Sequence, residues 1–377
     1  MKAVVYASYG NILSPLGWTA RDNFRAVIEG RSGLAVHEGT FGIPEPFCAS
    51  LFDRAAVQER VAAEGVVPRN LFETLLELSL RDALRQAGLD PASPRLGLVV
   101  SSIKGNVEEI GTGESAVPVA VSACRVAAGL GFRQEPLVVS NACISGLSAL
   151  IHARRMLLSG RCDQVVVVGA EVQSRFIVSG FQSLKALSPE PCRPFDAQRR
   201  GLNLGEAAAT MVLSRAESCP AGCWALVDGA TRNDANHISG PSRTGEGSYK
   251  ALRYVLACCD PQELAFVNVH GTSTPYNDEM ESVALQRAGL SELPLNALKG
   301  VFGHTMGAAG ILESLISMQA ADAGIILGTR GFRQMGVSCP VNVSAENRPT
   351  GKKAFIKLLS GFGGCNAAML FRKGGAR

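Results

Sequence analysis

"VVSNACISGLSAL", residues 138–150, passes from an extended apolar run into a small-residue helical pattern, with one cysteine at the change. Short β-branched runs favour a buried strand, and the apolar spacing that follows favours a helix. Cys143 stands among Asn141, Ala142, Ser145 and Gly146, where small side chains let a ligand approach the backbone. Strand, tight turn and helix are the repeating unit of an α/β protein. The same alternation extends along the chain. "RLGLVVSS" (95–102), "PLVVSN" (136–141), "DQVVVVGAE" (163–171), "AAATMVLS" (207–214), "LAFVNVHG" (264–271) and "KKAFIKLLSG" (352–361) read as buried strands. "NLFETLLELSLRDALRQAG" (70–88), "SGLSALIHARRMLLSG" (145–160) and "GAAGILESLISMQAADAG" (307–324) read as helices. The strand, polar turn and small-residue helix at 138–160 are echoed by "LKGVFGHTMGAAGILES" at 298–314, which suggests a duplicated unit.

The composition of the 377 residues, 46% hydrophobic and 19% charged, suits a core-forming protein of one large or two medium domains. A net charge of +4 without any lysine or arginine block gives no footprint for nucleic acid. No stretch of about 18 uncharged apolar residues is present, so no membrane span is expected. The apolar run in "MKAVVYASYG" is too short for a signal peptide. The eleven cysteines are scattered without a CxxC pair, which favours reduced thiols and a cytoplasmic protein over a disulfide framework.

Four polar or glycine-rich signatures follow in order: "SNACISG" with Cys143; "VHGTSTPYNDEMES" with His270, Asp278 and Glu281; "KGVFGHTMGAAGILE" with Lys299, His304 and Glu313; and "SGFGGCN", residues 360–366. A cysteine at a helix N-terminus meets the positive end of the macrodipole, which favours the thiolate. Thiolate attack on an ester or thioester creates an oxyanion. Backbone N–H groups at glycine-rich turns such as "GFGG" could hold it, each typically worth ~3 kcal/mol of barrier. Of only five histidines, His270 and His304 end apolar runs beside glycine. There, neutral imidazoles could donate to a substrate carbonyl or act as bases. Each feature also has a plain structural reading. A lone cysteine at such a turn is more often a packing residue, Lys299 alone reads as a surface lysine, and Asp278 and Glu281 could simply favour a helix N-terminus.

Together and in this order, the signatures resemble the β-ketoacyl-acyl carrier protein synthases, the elongating Cys-His-His class of the thiolase superfamily. "RPFDAQRRGLNLGEAAATMVLSR" (193–215) and "NDANHISGP" (233–241) fit as well, and the resemblance runs from about residue 3 to 372. It implies a five-layer αβαβα sandwich of two similar halves, 1–215 carrying the nucleophile and 216–377 carrying both histidines. It further implies a decarboxylative Claisen condensation. An acyl group would move from a carrier protein's phosphopantetheine arm to Cys143, and a malonyl unit held by His270 and His304 would then extend it. The amides of Cys143 and Phe362 would form the oxyanion hole, with the Phe362 ring as a gate. Lys299 and Glu313 would form a buried ion pair, with Asp278 and Glu281 in support. No metal or dissociable cofactor is implied. The implied partners are the acyl carrier protein and a second copy of the chain, or a chain-length-factor-like paralogue in a heterodimer.

The chain departs from the family pattern in three places. "GTGESAVPVAVSACRVAAGLGFRQ" (111–134) replaces a longer segment near the acyl pocket and dimer face. "SNAC" stands for threonine-alanine-cysteine, and Cys365 stands where a threonine is usual. Cys365 also leaves open a thiolase-like use of a second cysteine. The initiating synthases would carry asparagine in place of the second histidine, against "GHTMGAAG" here. A non-catalytic chain-length factor would lack the nucleophile. The shortened segment leans toward specialised polyene or polyketide work over housekeeping fatty acid synthesis.

Overall fold

The strand-turn-helix unit at 138–150 is one of six that feed a single sheet. The computed structural model describes residues 3–67, 69–109, 118–234 and 236–375. Its ten main strands are β1 (Val4–Leu13), β2 (Leu96–Ser101), β3 (Leu137–Val139), β4 (Gln164–Glu171), β5 (Ala207–Ala216), β6 (Trp224–Asn233), β7 (Phe266–Asn268), β8 (Leu295–Asn296), β9 (Ala354–Gly361) and β10 (Cys365–Lys373). The helices that build the layers are α1 (Leu71–Gln86), α2 (Val119–Gly129), α3 (Ser145–Leu158), α4 (Glu246–Leu256), α5 (Pro275–Arg287) and α6 (Met306–Asp322).

The sheet order, β8-β7-β9-β10-β6-β1-β5-β4-β2-β3, resolves into two equivalent halves. In the first, β2 pairs in parallel with β3 and β4, and β5 runs antiparallel to β4 and β1. In the second, β7 pairs in parallel with β8 and β9, and β10 runs antiparallel to β9 and β6. Each half is thus β-α-β-α-β-α-β-β with the same neighbours. The halves meet edge to edge at Tyr6 opposite Ala225 and Ala7 opposite Trp224.

Burial explains the layering. The four consecutive valines of β4 cannot alternate in and out, so this strand must be covered on both faces. α3 and α6 pack against each other between the two five-stranded halves of the sheet, α1 covers the outer face of the first half, and α4 the outer face of the second. Five layers result, αβαβα, as the resemblance implies. α6 is buried along nearly its whole circumference, as an apolar central helix must be. Of the segment 111–134, residues 111–117 lie outside the described residues; α2 follows, packed on α1 and β3. No helix among the described residues is long and apolar enough to cross a membrane.

The two central helices touch at glycines. A Cβ on Gly146 would stand 2.8 Å from the Gly307 carbonyl oxygen, and one on Gly310 would stand 2.3 Å from the Leu147 nitrogen. The duplication reaches this detail. Four residues before each of these glycines is a non-glycine residue with positive φ, Ala142 (42°) and Met306 (39°). The cysteine follows the first of these bends and His304 precedes the second, so the central layer brings both to one place.

Candidate functional site

Cys143 lies in the bend between β3 and α3. α3 begins at Ser145 with Ile144 as its N-cap, so the cysteine stands just ahead of the helix rather than within its first turn. The Ser145 hydroxyl donates to the Ala142 carbonyl at 2.6 Å and accepts from the Asn141 amide at 2.7 Å, which locks the bend. The β9–β10 hairpin closes over it. A Cβ on Gly361 would fall 3.0 Å from the Cys143 nitrogen, so glycine is what permits the approach. The next amide, Phe362 N–H, is directed at the Cys143 thiol.

Both histidines arrive from the second half. His270 follows β7, and the backbone amides of His270 and Gly271 each donate at 2.7 Å to one oxygen of Glu281. His304 is held by its own amide, which donates to the Asn203 carbonyl at 2.7 Å. Its Nδ1 accepts from the Met306 amide at 3.3 Å, so in the neutral ring the proton sits on Nε2. The rings meet edge-on, with centroids 5.1 Å apart and planes at 80°. Nδ1 of His270 and Nε2 of His304 are buried without a protein partner, so each ring keeps hydrogen-bonding capacity for a ligand. The reactive atoms of Cys143, His270 and His304 all lie within 4.8 Å of one another, and no other trio of His, Cys or carboxylate groups among the described residues comes together this closely.

A buried charge cluster lies behind the histidines. Lys299 is fully buried and paired with Glu313 Oε1, so the surface-lysine reading fails. The other Glu313 oxygen takes Lys357 Nζ at 2.5 Å. The sequence pattern assigns Lys357 only to a strand; the local signal of its role is a lysine inside "AFIKLLSG", an otherwise buried run that no charge enters without a partner. Burial alone would raise Glu313, but the two ammonium groups outweigh it and hold the carboxyl below its ordinary value. Asp278 and Glu281 do more than start a helix. Asp278 accepts from the amides of Phe195 and Ser273, and burial raises it to about 6. Burial, with the Asp278 charge beside it, raises Glu281 to about 7.

Burial dominates the reactive groups too. It pushes both imidazoles well below their ordinary value, with Lys299 and Lys357 adding to the fall, so both are neutral at pH 7. The resting thiolate expected from a helix N-terminus is not what the site favours. Burial pushes the Cys143 thiol up to about 12, and Cys365 adds to the rise, against the opposing pull of Lys299 and the Phe362 amide. Cys365 itself is buried beside the bend, its Sγ 3.4 Å from the Phe362 carbonyl oxygen. Above Cys143 opens a cavity of about 500 Å³ lined by the trio, Phe181, Tyr276 and Phe362. The Phe362 ring stacks on Phe181, with centroids 5.8 Å apart, in the lining of this cavity.

Comparison with known proteins gives the family. Residues 69–218 match the model of the β-ketoacyl synthase N-terminal domain and residues 224–333 that of its C-terminal domain. The chain belongs to the β-ketoacyl synthase family. It is a ketosynthase, an acyltransferase of the fatty acid and polyketide elongation type. This synthase is 29% identical over 415 residues to 3-oxoacyl-[acyl-carrier-protein] synthase 2 of Vibrio cholerae, with 99% of each chain covered. To the tetracenomycin polyketide synthase ketoacyl synthase alpha subunit of Streptomyces glaucescens it is 30% identical over 382 residues, covering 86% of this chain and 89% of the relative. Among solved structures, the ketosynthase in complex with its chain length factor from Xenorhabdus doucetiae superposes with a TM-score of 0.84 at 24% identity, with 98% of each chain covered. That likeness concerns the fold, and it matches the five layers found in this synthase.

Proposed function

We propose that Cys143 carries the growing acyl chain as a thioester and that His270 and His304 hold the malonyl unit that extends it. The observation that carries this reading is the convergence of one thiol and two neutral imidazoles within 4.8 Å at the floor of a single cavity. In the first half-reaction the Cys143 sulfur attacks the acyl thioester of a carrier-bound phosphopantetheine. The Cys143 and Phe362 amides stabilise the oxyanion, and the thiol proton leaves on the pantetheine sulfur. A thiol raised by burial suits this exchange, because attacking and departing groups are both thiols and no net charge is created in the dry site.

In the second half-reaction the malonyl thioester oxygen accepts hydrogen bonds from the imidazoles. The bond to the carboxylate breaks, carbon dioxide leaves, and the electron pair becomes an enolate. Its carbon attacks the acyl-Cys143 carbonyl and releases the sulfur as a thiolate, which takes a proton from water to restore the thiol, giving a chain two carbons longer. Phe362, stacked on Phe181, acts as the gate between the stages. Lys299 with Glu313, and Asp278 with Glu281, hold the histidine segments in place. The enzyme needs no metal or cofactor of its own in this scheme, since the carrier brings the pantetheine. Exposed Lys185, Arg200 and Arg243 around the opening suit its phosphate and an acidic carrier protein.

The protein acts in the cytoplasm as a dimer, with the boundary between its halves at 215/216. β3 is an edge strand with a partly exposed Leu137, which favours pairing with a second subunit. A chain-length-factor-like paralogue is the second candidate for that place, as in the Xenorhabdus doucetiae complex. The test is turnover of acyl- and malonyl-carrier proteins by the purified chain. Carbon dioxide and a 3-oxoacyl product in equal amounts support the reading. Folded protein that yields neither, alone or with a paralogue added, refutes it.

A further inference from the structure

β9 contains one charged residue, Lys357, in the middle of a strand buried along nearly its whole length. Its ammonium group never reaches solvent. Nζ stands 2.5 Å from Glu313 Oε2, 3.1 Å from the Val269 carbonyl oxygen and 3.4 Å from that of Asn268. Three N–H donors thus face three acceptors. Lys299 occupies the other oxygen of Glu313, and neither lysine side chain is exposed. One carboxylate between two ammonium groups leaves this trio with a net positive charge in the interior, which is costly and which Glu281, itself raised to about 7, offsets only in part. Lys299 alone would neutralise Glu313, so the second cation calls for a different reason.

Position supplies one. The two carbonyls that Lys357 holds belong to the end of β7, and Val269 immediately precedes His270. Its charge reaches both imidazoles. The titratable and charged groups around it are Glu313, Lys299, Glu281 and the two histidines.

We propose that Lys357 is a positioning residue for the decarboxylation half-reaction: it fixes the strand end that carries His270 and, with Lys299 and Glu313, sets a positive field behind the imidazoles. The inference rests on the reaction assigned above. During decarboxylation the negative charge moves from the departing carboxylate to the thioester oxygen beside the imidazoles. A buried cation on that side lowers the barrier to the transfer. The oxyanion of acyl transfer forms instead at the amides of Cys143 and Phe362, so the two half-reactions should respond unequally. Burial lowers Lys357 to about 8, so its charge is present below that pH and lost above it.

The test compares full-length wild type with Lys357→Met, which removes the charge and leaves the neutral Lys299–Glu313 pair. Carbon dioxide release from malonyl-pantetheine and acyl transfer to Cys143 are followed separately from pH 6 to 10. Expected is a loss of about 10- to 100-fold in kcat for decarboxylation, at least about tenfold more than the loss in acylation. Wild-type decarboxylation should fall as pH rises through about 8, and the variant should lack this limb. Equal losses in both half-reactions, no loss in either, or the same limb in the variant would overturn the proposal. If the variant does not fold, the wild-type profile decides alone: decarboxylation that stays flat through pH 8 overturns it. A wild type that takes up acyl groups yet never releases carbon dioxide overturns the reaction assignment itself.

Discussion

Gly310→Ala places one methyl group where the two central helices cross. That Cβ would lie 2.3 Å from the Leu147 nitrogen, 2.8 Å from the Gly146 carbonyl carbon and 3.0 Å from the Leu147 Cα. All three are backbone atoms, so no side chain can swing aside. Ordinary contact begins at about 3.5 Å, and relief therefore requires α3 and α6 to part by about 1 Å. Overpacking of this kind costs about 1–3 kcal/mol and lowers Tm by a few degrees. The functional cost should be larger. Cys143 precedes α3 and His304 precedes α6, and a displacement of about 1 Å between reacting groups can cost roughly 100-fold in rate. The matched control is Gly180→Ala, in the short helix Arg175–Ser183, where a Cβ would meet nothing within 4 Å. It should keep full activity and gain about 0.5–1 kcal/mol of stability. Calorimetry gives Tm, and the condensation rate on a saturating acyl-carrier protein gives the catalytic effect. A Gly310→Ala protein with wild-type Tm and wild-type rate would refute the claim that these glycines set the alignment.

Further outcomes follow from the same geometry. His270→Ala and His304→Ala should each still accept an acyl group but lose roughly 10²–10³-fold in malonyl decarboxylation; an equal loss in acylation would contradict the division of labour. Iodoacetamide should alkylate Cys143 about ten times faster for each pH unit from 7 to 10, and Cys365→Ser should move the midpoint down, because the neighbouring thiol adds to the rise. A plateau below pH 9 in wild type would contradict the burial argument. Asp278 and Glu281 are raised in the folded state to about 6 and about 7. Their contribution to stability is fully present below the unfolded carboxylate values near pH 4 and is lost as pH rises through 6 to 7. Scanning calorimetry should find Glu281→Gln flatter than wild type across that interval.

The parts of the fold that could be read from sequence are those with an unbroken local pattern. α3 and α6 lie within two residues of their expected ends, and so do the strands in "RLGLVVSS" and "DQVVVVGAE". The echo between 138–160 and 298–314 is the local trace of a duplication that covers every main strand. β1 and β6 are not legible locally because glycine, asparagine and polar residues interrupt their apolar alternation. These strands are recognisable chiefly through long-range pairing, which no local window contains. The site followed the same division. Cys143, His270 and His304 each stand at a break between an apolar run and small residues, and each could be located. The state of the thiol could not, since its pKa depends on burial by segments more than a hundred residues away. Lys357 was hidden because its partners, Glu313 and the carbonyls before His270, are distant in sequence.

The central claim is that Cys143 accepts the acyl group, and intact-mass spectrometry tests it most directly. Wild type and Cys143→Ala would be incubated with a panel of acyl-carrier proteins, checked for folding, and weighed. The account predicts a mass gain of one acyl group on wild type alone, mapped to the peptide containing Cys143. An equal adduct on the variant, or none on folded wild type with any chain offered, would contradict it.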